Sequence, residues 1–332
     1  DVFNDPMHYL KRQAGCAVLG FMGMFVVSYV PQSWMKKLAF PAYVLSLLMC
    51  AAVILVGQSS NGSTRWLKIG PIQLQPSEIA KIAVILFMAL LLSKIPKQVN
   101  NLKSIIKILA FVIPMAGVIA VSNLSTAIIV AGIAVIMIFV VSPKYKEFIM
   151  LGGVAVVLMV VGINMAGYRA ERIKAWLHPE DFPDKAYQTL QGLYAIGSGG
   201  LFGKGLGASV QKLGYVPEAQ NDFIFTIICE ELGLFGAICV MLLFVLLLWR
   251  CMVIANNAPD LFSALVVAGV MGHIALQVVL NIMVVTNWMP NTGIILPFIS
   301  YGGTSIAILL TEMGLVLNVS RHIKFDASHP VE

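Results

Sequence analysis

Apolar and polar positions are distributed along this chain in long blocks, and the blocks set the architecture before any motif is read. Runs of about 20 mostly apolar residues, the length a hydrocarbon core asks of a helix, fall near Ala14–Val30, Leu38–Val56, Ser77–Leu92, Ile105–Val121, Ser125–Val141, Phe148–Met165, Phe223–Trp249, Leu261–Val285 and Thr304–Val319. The pattern predicts an all-α fold with nine membrane-spanning helices. Pro114 lies inside the fourth run and should kink it, which membrane helices tolerate because neighbouring groups satisfy the freed carbonyl. Between Gly167 and Asp222 the apolar blocks give way to charge, glycine and amphipathic pattern. Irregular backbone near lipid must be buried in protein or face water, so the chemistry is expected in this stretch.

Composition identifies the solvent. Of 332 residues 59% are hydrophobic and 11% charged, with a mean hydropathy of +0.88, whereas about a quarter of the residues of a soluble domain are charged. The chain therefore reads as a multi-span membrane protein. Its net charge of +6 does not mark a nucleic-acid binder, because the basic residues are scattered among loops and form no single stripe. They sort by side instead. Lys36, Lys37, Lys94, Lys97, Lys103, Lys107, Lys144, Lys146, Arg250, Arg321 and Lys324 fall on one side, against Lys11, Arg12, Arg65 and Lys68 in the short connections of the other. By the positive-inside rule the first side is cytoplasmic. Residue 1, the loop around Arg65 and the 167–222 stretch are then external, and the C-terminus internal. An odd number of spans from an external start, with no initiator Met, predicts one more helix upstream of Asp1.

Cysteines and histidines add little. Cys16, Cys50, Cys229, Cys239 and Cys251 lie in or beside apolar runs, with neither disulfide spacing nor a CxxC pair, and read as small buried residues. His8, His178, His273, His322 and His329 show no ligand spacing, so no structural zinc site is predicted. Asn61-Gly-Ser63 matches a glycosylation acceptor, a pattern short enough to arise by chance. The glycine-rich run Ile196–Gly207 fails as a nucleotide loop, because Gly205 follows Lys204 where a Walker A motif needs Ser or Thr. Two readings of it stay open. It is a flexible turn between two amphipathic helices, or a nest in which its amides and Lys204 hold a phosphate.

Ionisable residues in or beside the spans are more telling, since charge near hydrocarbon is costly unless paired or hydrated. Glu78 and Lys81 lie three apart just after Pro76-Ser77, hence on one helix face. Either Glu78 simply favours the positive helix start and neutralises Lys81, or the pair joins Arg12 and Arg65 in setting the electrostatics of an external polar cavity. Glu218, Asp222, Glu230 and Glu231 form a second acidic group across another helix start, where favourable placement at the N-terminus applies best to Glu218 and Asp222.

Four segments carry a resemblance. Gly62-Ser-Thr-Arg-Trp-Leu-Lys-Ile-Gly-Pro-Ile-Gln-Leu-Gln-Pro-Ser-Glu-Ile-Ala-Lys81, Gly205-Leu-Gly-Ala-Ser-Val-Gln-Lys-Leu-Gly-Tyr-Val-Pro-Glu-Ala-Gln-Asn-Asp-Phe-Ile-Phe225, Glu230-Glu-Leu-Gly233 and Leu296-Pro-Phe-Ile-Ser-Tyr-Gly-Gly-Thr-Ser305 occur in this order. They resemble the motifs of the shape, elongation, division and sporulation (SEDS) glycosyltransferases over essentially the whole chain. The stretch from Ser209 to Ala219 is more similar to the FtsW division subgroup and its sporulation relatives than to the RodA elongation subgroup. The resemblance implies a single transmembrane domain over residues 1–332, ten helices in the family with the first missing here. It also implies polymerisation of lipid II into peptidoglycan outside the bacterial cytoplasmic membrane, the active site lying in the external loop 167–222.

Carried over residue by residue, the family's essential acid falls on Asp222. Arg12, Glu78 and Lys81 fall on polar residues of its central cavity, Arg65, Lys212 and Glu218 on motif positions around it, and Ser300 within the last motif. Two departures stand out. Gln220-Asn221 replaces the family's usual His-Thr before the acid, and Asn123, in Ser122-Asn-Leu-Ser-Thr126, replaces a frequent carboxylate.

The implied chemistry has Asp222 as general base, removing the proton of an acceptor sugar hydroxyl as it attacks the anomeric carbon of a lipid-linked glycan. The leaving diphosphate calls for cations, and Arg12, Arg65, Lys204 and Lys212 are the external candidates. A divalent ion, Mg or Mn, is implied by the family alone, as are a class B penicillin-binding transpeptidase and other division-complex membrane proteins as partners. A lipid-precursor flippase or transporter would also need many helices and a polar cavity, but no inverted repeat is evident and the densest polar motifs lie outside. A purely structural division protein is the third class.

Overall fold

The computed structural model describes residues 7–60, 63–69, 72–95, 102–142, 146–148 and 173–323. Among them, seven helices are long and apolar enough to cross a membrane. These are α1 (His8–Tyr29), α2 (Gln32–Val56), α3 (Pro76–Lys94), α6 (Leu124–Val141), α8 (Ile224–Asn256), α9 (Leu261–Val285) and α10 (Gly303–Arg321). Helices α4 (Leu102–Leu109) and α5 (Ile113–Ser122) meet at a 49° bend and make an eighth if they are one span. The bend falls just ahead of Pro114, which has no N–H to continue the ladder. The ninth expected run, Phe148–Met165, lies almost wholly outside the described residues, as do residues 167–172 of the stretch expected to be external.

The residues fall into two compact units, one within Asp1–Ser142, Leu247–Ile274 and Gly303–Glu332, the other within Pro143–Leu246 and Ala275–Gly302. In the first, α3 is deeply enclosed: Ile85, Met88 and Leu92 are fully buried, with α2 and α6 packed on it. Helix α1 lies along α10, and small residues set their approach. A Cβ at Gly20, Gly23 or Gly314 would come within 2.8 Å of an atom of the facing helix, the close backbone packing on which helices in lipid depend.

Hydropathy alone did not disclose a small antiparallel sheet in this unit, β1 (Gln58–Ser60), β2 (Ser63–Ile69) and β3 (Ile72–Leu74) in the order β1-β2-β3. Leu67 pairs with Leu74 and Ile69 with Ile72. The Asn61-Gly62 and Gly70-Pro71 pairs in the sequence are the turn signals that accompany it.

The second unit adds a break to one expected span and corrects the reading of the glycine-rich run. The run from Phe223 is not one straight helix, because Gly233 interrupts α8 with φ 67° and ψ −165°. At that break the N–H groups of Leu234 and Phe235 donate to the carbonyls of Gly200 and Leu201. The glycine-rich run is accordingly a joint of backbone on backbone: a Cβ at Gly203 would stand 2.1 Å from Glu231 O, and one at Gly233 2.4 Å from Gly203 N. No second amphipathic helix follows α7 (Pro183–Gly199), only a 3-10 turn at Gln211–Leu213. Nor do the amides form an anion nest. Those of Gly203, Lys204 and Gly205 donate to the carbonyls of Gly199, Glu230 and Glu231.

Candidate active site

Asp222 ends an irregular turn that runs from Gly214, at φ 109°, to the start of α8. Alternation of residue type decides which side chains point inward. Val216, Ala219 and Phe223 are buried, while Tyr215 and Glu218 are exposed and Asp222 is intermediate. Glu218 takes a positive φ of 51°, rare for a residue with a Cβ, and its carboxylate accepts a hydrogen bond from Asn221 Nδ2 at 2.7 Å. Such backbone strain persists only where surroundings over-determine it.

Those surroundings are amides. Gln188 Nε2 on α7 donates to Pro217 O at 2.8 Å and its Oε1 accepts from Asn291 Nδ2 at 2.8 Å. Tyr301 N–H donates to Gln220 O at 2.8 Å, which ties the last motif to the acidic one. Asn281 on α9 donates to the carbonyl of Asp222 itself. Gly293 completes the setting: its φ of 66° suits glycine, and a Cβ there would lie 3.7 Å from Asp222 Oδ2. Ser300, buried, closes its own turn by accepting from Leu296 N–H at 2.8 Å.

Behind the turn, two adjacent carboxylates of α8 hold the loop that precedes it. Glu230, with no exposed surface, takes Lys204 Nζ at 2.6 Å, the hydroxyl of Ser209, and the N–H groups of Val210 and Gln211 at 3.3 Å each. Glu231 takes Lys212 Nζ at 2.6 Å and Ser209 N–H at 3.3 Å. Lys204 and Lys212 thus sit near Asp222 in sequence but end on protein carboxylates.

The remaining predicted residues belong to the first unit. Pro76 opens α3, so Glu78 falls in its first turn, where a carboxylate suits the helix N-terminus. Its pairing with Lys81 is direct: Glu78 Oε1 meets Lys81 Nζ at 2.9 Å, and its Oε2 accepts from Ser305 Oγ of α10 at 3.1 Å, all within a buried site. Arg65 lines a small, partly open cleft with Ser77, Ser122 and Asn123 among its walls. Asn123 caps α6 by accepting from Thr126 N–H at 3.2 Å, so it keeps a capping role without a charge. Arg12 is exposed on α1, beside Gly303 at the start of α10.

Sequence reasoning missed a second buried pair here: His273 Nδ1 lies 2.9 Å from both carboxylate oxygens of Glu312. It also missed Gln188, Gln277, Asn281 and Asn291. A signal existed for Gln277, Asn281 and Glu312, since polar residues inside apolar runs mark partnered or functional positions by default.

A family model described as "Cell cycle protein", covering FtsW, RodA and SpoVE, matches residues 1–325. This chain belongs to that family. Like other SEDS proteins it is a polytopic helical membrane protein. Stage V sporulation protein E of Bacillus subtilis (strain 168) is 40% identical over 97% of the chain and 90% of its own length. A probable peptidoglycan glycosyltransferase FtsW of Trichlorobacter lovleyi is 35% identical over 97% of the chain and 86% of its own length. Among solved structures, a chain of a peptidoglycan synthase complex that coordinates polymerization and crosslinking superposes with a TM-score of 0.81 at 29% identity, covering 97% of this SEDS chain and 92% of its own. The rod shape determining protein RodA of Thermus thermophilus gives a TM-score of 0.70 at 29% identity, with 97% and 90% covered.

Proposed function

We propose that this SEDS protein is a peptidoglycan glycosyltransferase of the division and sporulation type, working on the outer face of the cytoplasmic membrane with Asp222 as general base. Its relatives include proteins named for that activity and for sporulation. The observation that carries the site assignment is the setting of Asp222: a half-buried carboxylate on a strained turn, held by amides from two helices and a second motif. The charge bias of the loops supports the outward orientation. A cysteine placed at Ser198 should therefore react with an impermeant label only from outside, and labelling only from inside would reverse the site's side.

In the reaction, the Asp222 carboxylate takes the proton of an acceptor sugar hydroxyl as that oxygen bonds to the anomeric carbon of a lipid-linked glycan. The bond from that carbon to the diphosphate oxygen breaks, and the lipid diphosphate leaves with the electron pair. In the unit that holds Asp222, Lys204 and Lys212 are about a third exposed, and reaching an anion would require them to exchange Glu230 and Glu231 for it. Among the described residues no three His, Cys, Asp or Glu side chains converge. They do not fit a dedicated cage for Mg or Mn, and no step is derived through a cation. A crosslinking partner of the class B penicillin-binding type suits a product that must be crosslinked.

The test is Asp222→Asn, assayed on purified protein with lipid II. It keeps size and turn-forming capacity but removes the basic oxygen, so polymerisation should disappear while the protein remains folded. Appreciable product at enzyme levels that saturate the wild type would remove Asp222 as base and turn attention to Glu218.

A further inference from the structure

The turn carrying Asp222 and the segment facing it share one buried side chain. Asn281 of α9 has no exposed surface, and its single amide nitrogen donates to Asp222 O at 2.8 Å and to Ile294 O at 2.6 Å. Both hydrogens of the amide are therefore spent on carbonyls of two different loops. Only the NH2 end of a carboxamide can do this, so the two carbonyls fix which way the group points. One helical turn earlier Gln277, also buried, donates to Ile295 O at 3.2 Å. Gln277 and Asn281 thus hold successive carbonyls of the 290–302 segment, but Asn281 is the one that also donates to the Asp222 turn.

Neither loop has a helix or strand of its own to hold it at that point. A Cβ on Gly293, next to the anchored Ile294, would lie 3.7 Å from Asp222 Oδ2. Moving Ile294 moves the wall beside the carboxylate, and moving the Asp222 carbonyl moves the carboxylate itself.

We infer that Asn281 is a positioning residue for glycosyl transfer: one amide locks the base-bearing turn and the wall facing it into a common register. This rests on Asp222 being the base. An amide that only stabilised the fold would affect rate and stability together. One that sets geometry affects turnover more than affinity, because a misplacement of about 1 Å at the reacting centre costs on the order of 100-fold in rate.

The experiment uses the full chain in lipid nanodiscs. Hydrogen exchange of the peptides covering 214–223 and 290–302 is followed in Asn281→Ala and in Gln277→Leu, together with kcat and KM for lipid II. Asn281→Ala should speed exchange in both segments at once, whereas Gln277→Leu should speed it only in 290–302. Turnover of Asn281→Ala should fall about 10- to 100-fold with KM changed less than about threefold and the thermal midpoint nearly kept. If Asn281→Ala does not fold, Asn281→Ser, which keeps one donor hydrogen, should show the same paired loosening to a lesser degree. Unchanged protection of the 214–223 peptide, or a kcat loss matched by an equal loss of thermal stability, overturns the inference by itself. Retained activity in Asp222→Asn would remove the base, and this inference with it.

Discussion

Both units bury carboxylates against basic side chains, and they do so in different ways. In the first, two pairs lie wholly on helices and away from water: Lys81 and Glu78 side chains are 1% and 7% exposed, and His273 and Glu312 1% each. In the second, the carboxylates belong to α8 and the cations to a loop. Glu230 is sealed at 0% and Glu231 is 14% exposed, but Lys204 and Lys212 keep 35% and 32% of their side chains in solvent. A pair with both members desolvated meets no water that competes for either partner, so it keeps one arrangement. A pair with one wet member can trade its partner for water or an anion at modest cost. The first arrangement suits a rigid frame, and the second suits a loop that must stay placed yet be able to open.

The largest effect should come from breaking a dry pair. Glu78→Gln or Lys81→Met alone removes one member of a buried pair and should cost about 3–5 kcal/mol, read as a large drop in thermal midpoint in detergent and loss of polymerisation. The double variant should recover part of that loss, because it strands no charge. A single variant with wild-type midpoint and activity would make the Glu78–Lys81 pair peripheral and dissolve the contrast.

A smaller effect is expected at the wet pairs. Lys204→Met leaves Glu230 with Ser209, Val210 and Gln211 as donors, so the cost should be about 1–2 kcal/mol. It should appear as faster proteolysis of the 198–212 loop. High salt should have the same effect on the wild type, since screening reaches exposed charges first. Salt-insensitive cleavage of that loop would mean that its lysines are as dry as Lys81.

The smallest effect belongs to Lys36 and Asp260, which meet at the start of α9 with 38% of each side chain exposed. Burial pushes the Asp260 carboxyl up, but hydrogen bonds from Lys36 and Ser263 outweigh it and hold the group below its ordinary value of 3.8. A lowered folded value stabilises above pH 3.8, and the contribution fades as pH falls through the folded value. Asp260→Asn retains a cap for Ser263 N–H, so the loss at neutral pH should stay within about 1 kcal/mol and vanish in strong acid. A difference that grows on acidification would reverse the sign.

The spans were legible because immersion in hydrocarbon is a local property of about 20 consecutive residues. Helix α9 begins and ends where its apolar run does, at Leu261 and Val285. The Glu78–Lys81 pair was legible for the same kind of reason, since residues three apart on a helix must share a face. The family motifs named Asp222 but could not describe what holds it.

What the sequence determined by itself was therefore the solvent, most of the described spans, and the short-range pairs that helix geometry imposes. The tertiary structure decided the rest: Asn281 reaching Asp222 across 59 residues, His273 meeting Glu312 across 39, and Gly233 breaking α8 to admit the backbone of Gly200 and Leu201. Each of these depends on the rotation and depth of one element against another. A run of apolar residues leaves both undetermined, because lipid accepts any face of the helix equally well and only side-chain packing and buried polar groups choose among them.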